Sequence, residues 1–171
     1  MKKSLLFITT FIFALNLMAD TTVLPKVVLE GDKGGKLDGS LFDSSTIKDK
    51  VHVLFYVDPD EKDLNEETAE LIKKEKFDLK MYGSIAIINM AATWLPNFAI
   101  ESSLKAKQKK YPDTLYVKDF KKVLVKEWDL LDDSSNILVF NKAGAMIYKV
   151  KGKATKEDGD KIIQLIKENL K

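Results

Sequence analysis

Two apolar runs, VHVLFYV at 51–57 and SIAIINM at 84–90, constrain this chain more than any other feature in it. Continuous apolar runs of this length, bounded by polar residues, are what strands covered on both faces of a sheet require. Between them Leu64, Thr68, Leu71 and Ile72 recur at helical spacing among lysines and glutamates, which predicts a helix lying on one face of that sheet. Strand, helix and strand inside about 40 residues form a parallel crossover unit. Such a unit commits the chain to an α/β architecture with a central sheet flanked by helices.

The remaining segments extend this frame. Val27-Val28-Leu29 reads as a short edge strand, followed by turns at Gly31 and at Gly34-Gly35 that suggest a small hairpin. After a loop holding Trp94, Pro96 and Phe98, the stretch 100–110 reads as a lysine-rich helix closed by Tyr111-Pro112. A short strand is expected at 115–117 and a helix at 120–128. The stretches 137–141 and 145–150 flank a turn at Lys142-Ala143-Gly144, the signature of an antiparallel hairpin. The chain closes on a helix with Thr155 as N-cap, Asp158 three residues on, and Ile162, Ile163, Leu165, Ile166 and Leu170 along one face.

The N-terminal stretch MKKSLLFITTFIFALNLMAD has a different character. A basic start, a short apolar core and Ala19 describe a secretory signal peptide over residues 1–19, leaving residues 20–171 as one mature domain. The apolar core is short for a membrane span, so no stable anchor is expected after cleavage. Removal of Lys2 and Lys3 leaves 26 of the 28 basic residues against 26 acidic ones. Every basic residue is lysine, and a charge-balanced domain without arginine offers little to nucleic acid. With no cysteine, an exported domain of this kind is held by its core and not by disulfides.

The same composition removes most chemistries. His52 is the only histidine; it lies inside a strand, cannot supply clustered zinc ligands, and has no nucleophile motif beside it. No phosphate loop and no catalytic triad can be assembled, so no catalytic residue, metal ligand or cofactor is assigned. The lysines at 105, 107, 109 and 110 read as a solvated helix face, with attraction to an acidic surface as the other reading.

The order of a parallel β-α-β half, a hairpin and a final helix resembles the thioredoxin fold. The closing LVFNKAGAMIYKVKGKATKEDGDKIIQLI is similar to the end of exported thioredoxin-like proteins. More narrowly, ESSLKAKQKKYPDTLYVKD and the preceding 51–90 half resemble the YtfJ family of periplasmic bacterial proteins, over residues 27–170. That resemblance implies a thioredoxin-like fold, a mixed β-sheet flanked by α-helices, and a periplasmic location. Some members carry the label of predicted transcriptional regulator, which an export signal disfavours. The paired cysteines of redox-active thioredoxins fall by resemblance near Glu61 to Leu64, and their cis-proline near Ser135; neither residue type is present. Thiol–disulfide exchange needs an attacking thiolate, which this chain does not have.

Two places remain as candidate sites. Asp58, Asp60, Glu61 and Asp63 lie where a strand meets a helix; helix capping is the favoured role, and an oxygen-rich site for a divalent cation is the alternative. Trp94 and Phe98 lie in the loop after the next strand, where parallel-sheet geometry brings them to the same sheet end as the acidic run and Ser135. Packing within the loop is the plainer role for that pair. An unknown periplasmic protein or peptide docking there is the functional one.

Overall fold

The computed structural model describes residues 21–171; the signal-peptide expectation for residues 1–19 lies outside the described residues. The strands are β1 (Val28–Leu29), β2 (Gly34–Lys36), β3 (Phe42–Asp43), β4 (Val51–Val57), β5 (Tyr82–Asn89), β6 (Thr114–Asp119), β7 (Ser135–Phe140) and β8 (Met146–Lys151). The helices are α1 (Glu66–Lys74), α2 (Asn97–Lys110), α3 (Val123–Trp128) and α4 (Lys156–Leu170). Six strands form one mixed sheet in the order β2-β6-β5-β4-β7-β8, while β1 and β3 make a separate ribbon. Pairing is parallel for β4 with β5 and β5 with β6, and antiparallel for β4 with β7 and β7 with β8.

The two apolar runs therefore occupy the sheet centre, as expected, and β6 adds a second parallel crossover through α2. On one face, α3 and the ribbon bury Leu54, Tyr56, Ile85, Ile87 and Val117 against Leu124, Trp128, Leu29 and Phe42. On the other, α1 and α4 cover Val51, Val53, Ile137 and Val139, and α2 covers Ile88 and Tyr116. The closing helix begins as read, with Thr155 Oγ1 accepting from the Asp158 amide at 3.1 Å and the Asp158 carboxylate accepting from the Thr155 amide at 2.8 Å. This reciprocal pair satisfies two amides that the first helical turn leaves without partners.

Three expectations need correction. Gly34-Gly35 is a strand and not a turn; a Cβ on Gly34 would stand 1.9 Å from the Lys118 carbonyl oxygen, so only glycine lets β2 approach β6. The tight turn lies further on, where the Lys36 amide donates to Ser40 O at 2.8 Å. Phe98 belongs to the first turn of α2 and not to the loop. The central strands are also not sealed on both faces, since Phe55, Val57, Ser84 and Ala86 are only half-buried. Both outer strands are guarded: β2 is three residues long, and Lys149 and Lys151 of β8 reach Asp129 at 3.9 and 2.6 Å.

Candidate functional site

The parallel strands β4 and β5 end together, so the segments that follow them share one edge of the sheet. After β4 the chain turns through a short 3-10 helix at Pro59–Glu61, which Asp58 caps by accepting from the Asp60 amide at 2.9 Å. Asp58 is buried, and its own amide donates to Ser134 O at 2.9 Å. Burial pushes the Asp58 carboxyl up, and the charges of Asp60, Asp133 and Glu61 push the same way against the amide hydrogen bond. Asp60 and Glu61 are exposed, while Asp63 pairs with Lys107 of α2 at 3.0 Å. The acidic run is thus divided among a cap, two solvated carboxylates and an ion pair. Among the described residues no three His, Asp or Glu side chains converge as metal ligands.

Ser135 is buried at the start of β7, opposite Val57. Its Oγ accepts from Asn65 Nδ2 at 3.0 Å, and the same amide nitrogen donates to Gly152 O at 3.0 Å. Asn65 Oδ1 in turn accepts from the Ala154 amide at 2.7 Å. Asn65 precedes α1 and so fastens that helix to β7 and to the turn between β8 and α4. Asn136 closes its own loop, accepting from the Leu131 amide and donating to Leu131 O, both at 2.9 Å.

The aromatic pair lies on the same edge. Trp94 is 88% exposed and Phe98 76%, so neither side chain performs the loop packing that was the plainer expectation. Leu95 between them turns inward, against the cluster around Ile100 and Leu104. Pro59 and Lys62 on one side, and Leu95 and Ala99 on the other, line a common cavity, so the acidic turn and the aromatic segment stand on its opposite banks. Asp58 and Ser135 sit at the base of this edge, and Trp94 and Phe98 project from it.

A second polar centre at this edge was not legible beforehand. Asp119, fully buried at the end of β6, accepts from the amides of Lys121 at 3.1 Å, Val123 at 3.0 Å and Leu124 at 3.0 Å. It also accepts from the Tyr56 hydroxyl at 3.1 Å. Burial first, and the Asp119 charge second, drive the Tyr56 phenol far above its ordinary range, so it stays a donor. His52 takes a structural place: Nδ1 lies 3.1 Å from Lys50 O, the ring packs over Gly83, and burial pushes its pKa down.

Across the cavity, Glu66 of α1 is clasped by Lys107 and Lys110 of α2, and Tyr111 donates to Glu70 at 2.7 Å and to Glu66 at 3.1 Å. Burial alone would raise the Glu66 carboxyl, but hydrogen bonds from the two lysines and Tyr111 outweigh it and hold it at about 2. A carboxyl whose folded pKa lies below its unfolded value of roughly 4.3 contributes stability that is complete above the higher value and lost as pH falls through the lower one. Glu66→Gln is therefore expected to cost about 1 kcal/mol at neutral pH, the figure allowing for solvent screening. Urea titrations should show that difference shrinking as the pH drops from about 4.3 towards 2.

Comparison with known proteins agrees with the geometry. The uncharacterised protein YtfJ of Escherichia coli (strain K12) is 27% identical over 134 residues, covering 76% of this chain and 72% of that protein. Among solved structures, a SCO1/SenC family lipoprotein from Bacillus anthracis superposes with TM-score 0.61 at 12% identity, covering 89% of this chain and 98% of that one. A thiol-disulfide isomerase from Corynebacterium glutamicum gives 0.59 at 13%, covering 84% and 96%. The pneumococcal exposed lipoprotein thioredoxin gives 0.54 at 19%, covering 84% and 99%. These likenesses establish a thioredoxin-like fold. Residues 29–169 match the family described as bacterial protein of unknown function (YtfJ_HI0045), and the chain belongs to that family.

Proposed function

We propose that this protein is an exported thioredoxin-fold domain that does no thiol chemistry and works by binding a protein or peptide at the edge where β4 and β5 end. The observation that carries this reading is the exposure of Trp94 (88%) and Phe98 (76%) beside the solvated carboxylates of Asp60 and Glu61. Leaving two large aromatic rings in water forgoes the stabilisation that burial would give, and tryptophan is enriched among residues that dominate binding energy. The absence of cysteine removes the redox use of the scaffold. Surface recognition is the use that remains, and no catalytic role is assigned to any side chain.

Export is supported by the basic, apolar and small-residue order of residues 1–19, and two fold neighbours are lipoproteins by description. Sequencing the N-terminus of protein recovered from fractionated cells should return Asp20 first, in the periplasmic fraction. An intact Met1 in the cytoplasm would remove the export reading and revive gene regulation as an option. Docking is tested by pull-down from periplasmic extract with the wild type and a Trp94→Ala, Phe98→Ala double variant. Each truncation at a hot spot costs about 2 kcal/mol or more, so recovery of the partner should fall at least tenfold. Equal recovery by both proteins would discard the aromatic edge as the docking site.

A further inference from the structure

The sheet face that carries α1 and α2 is incompletely filled. Interiors normally pack as densely as organic crystals. Here a cavity of about 600 Å³ lies between the sheet and the two helices, within the range that small-molecule sites occupy. It runs along β5 from Tyr82 to Ile88, about 20 Å at the rise of an extended strand. Its cause is local: Ser84 and Ala86 alternate on this face while Ile85 and Ile87 point to the other, so short side chains lie where the helices would need long ones. The gap separates the core under α4 from the core under α2.

The walls favour an apolar occupant. Phe55, Val57, Ile88, Leu104 and Tyr116 are among the lining side chains, and the hydroxyls of Ser84 and Thr114 lie 3.2 Å apart and engage each other. Water in such a space finds few partners. The charged lining residues are five lysines, Lys62, Lys73, Lys76, Lys107 and Lys110, against two carboxylates, Glu66 and Asp113. Lys107 and Lys110 are already engaged by Glu66, whereas Lys62, Lys73 and Lys76 have no carboxylate within 4 Å among the described residues. Lys73 stands 5.0 Å above the Tyr111 ring, at the end of the trough that Phe77 and Tyr82 also line.

We propose that this trough binds a single-chain amphiphile with an anionic head, its hydrocarbon tail lying over Ser84 and Ala86 and its head at Lys73 and Lys76. Length along β5 selects a linear chain over a compact ring, and the surplus of lysine at the rim selects the sign of the head. The trough opens at one end onto the docking edge through Pro59, Lys62, Leu95, Ala99 and Ser135, while Trp94 and Phe98 themselves do not line it. The ligand chemistry has two sources, a free long-chain carboxylate or a lysophospholipid.

Titration of the purified protein with cis-parinarate, whose fluorescence rises on leaving water, should saturate at one per chain. Oleate and lysophosphatidylglycerol, each below its micellar concentration, then compete. Displacement by either supports the proposal, and the stronger competitor names the source. Dodecyltrimethylammonium, with the opposite head charge, should displace at least tenfold less well. Ala86→Phe on the floor and Ala99→Phe on the helical wall should each weaken binding at least tenfold; the second keeps the test valid if the first disturbs the sheet. Lys73→Glu with Lys76→Glu should weaken it about fivefold or more. Fluorescence that does not saturate, or binding that survives both phenylalanine variants, would overturn the assignment.

Discussion

Asp119→Ala will lower the stability of this protein by about 4 kcal/mol, a larger loss than most single substitutions cause. The carboxylate serves three amides at the start of α3 and a fully buried phenol, so its removal orphans four donors at once. Each buried group left without a partner costs about 1–3 kcal/mol, reduced here because the Lys121 and Val123 amides are only partly buried. Lys122 and Asp129 hold φ of +54° and +50° at the two ends of α3, so this six-residue helix has little of its own to keep it formed. For a domain of this size the midpoint of thermal unfolding should fall by about 8–16 °C. Tyr56→Phe removes a single hydrogen bond and should cost about 1 kcal/mol. Urea midpoints measured at constant m decide the matter. If the alanine variant loses no more than Tyr56→Phe, the carboxylate is not what anchors α3.

Asn65→Ala should cost about 3 kcal/mol, through a different kind of link. Its side chain joins three segments that are remote in sequence, by hydrogen bonds to Ser135 Oγ, Gly152 O and the Ala154 amide. Ser135 is 1% exposed, so no solvent can replace the lost donor there. Asn65→Asp keeps the acceptor for Ala154 but sets a negative charge against the Gly152 carbonyl oxygen, and should be at least as damaging at neutral pH. Acidification protonates that carboxyl and restores one donor, so part of the loss should return near pH 4. A loss that stays constant with pH would mean that the bonds to Ser135 and Gly152 contribute nothing.

These two residues show where reading the sequence succeeds and where it stops. Period and punctuation locate the elements: Val51–Val57 and the 84–90 run reveal central strands, and Thr155 with Asp158 marks a helix start, because each depends on neighbours in the chain. Asp119 falls between the strand expected at 115–117 and the helix expected at 120–128, among the lysines at 118, 121 and 122. Its burial arises only when β6 ends beside Tyr56, which is 63 residues away in the chain. Asn65 likewise looks like one polar residue among many until β7 and the turn after β8 close on it. The acidic run was legible as a cap at Asp58, but the pairing of Asp63 with Lys107 depends on how α2 crosses α1. Gly34-Gly35 misleads because glycine serves both turns and close backbone approach, and only the Lys118 carbonyl distinguishes them. The trough had a faint trace in the alternation of Ser84 and Ala86 within an otherwise bulky strand.

The guarded margins of the main sheet bear on how any polypeptide could be recognised. A glycine-bearing strand of three residues at one margin, and a lysine-studded one at the other, give an incoming chain little backbone to extend by strand addition. On the proposed docking role, a peptide would be read through its side chains, and replacing its amides with esters or N-methyl groups should leave affinity nearly untouched.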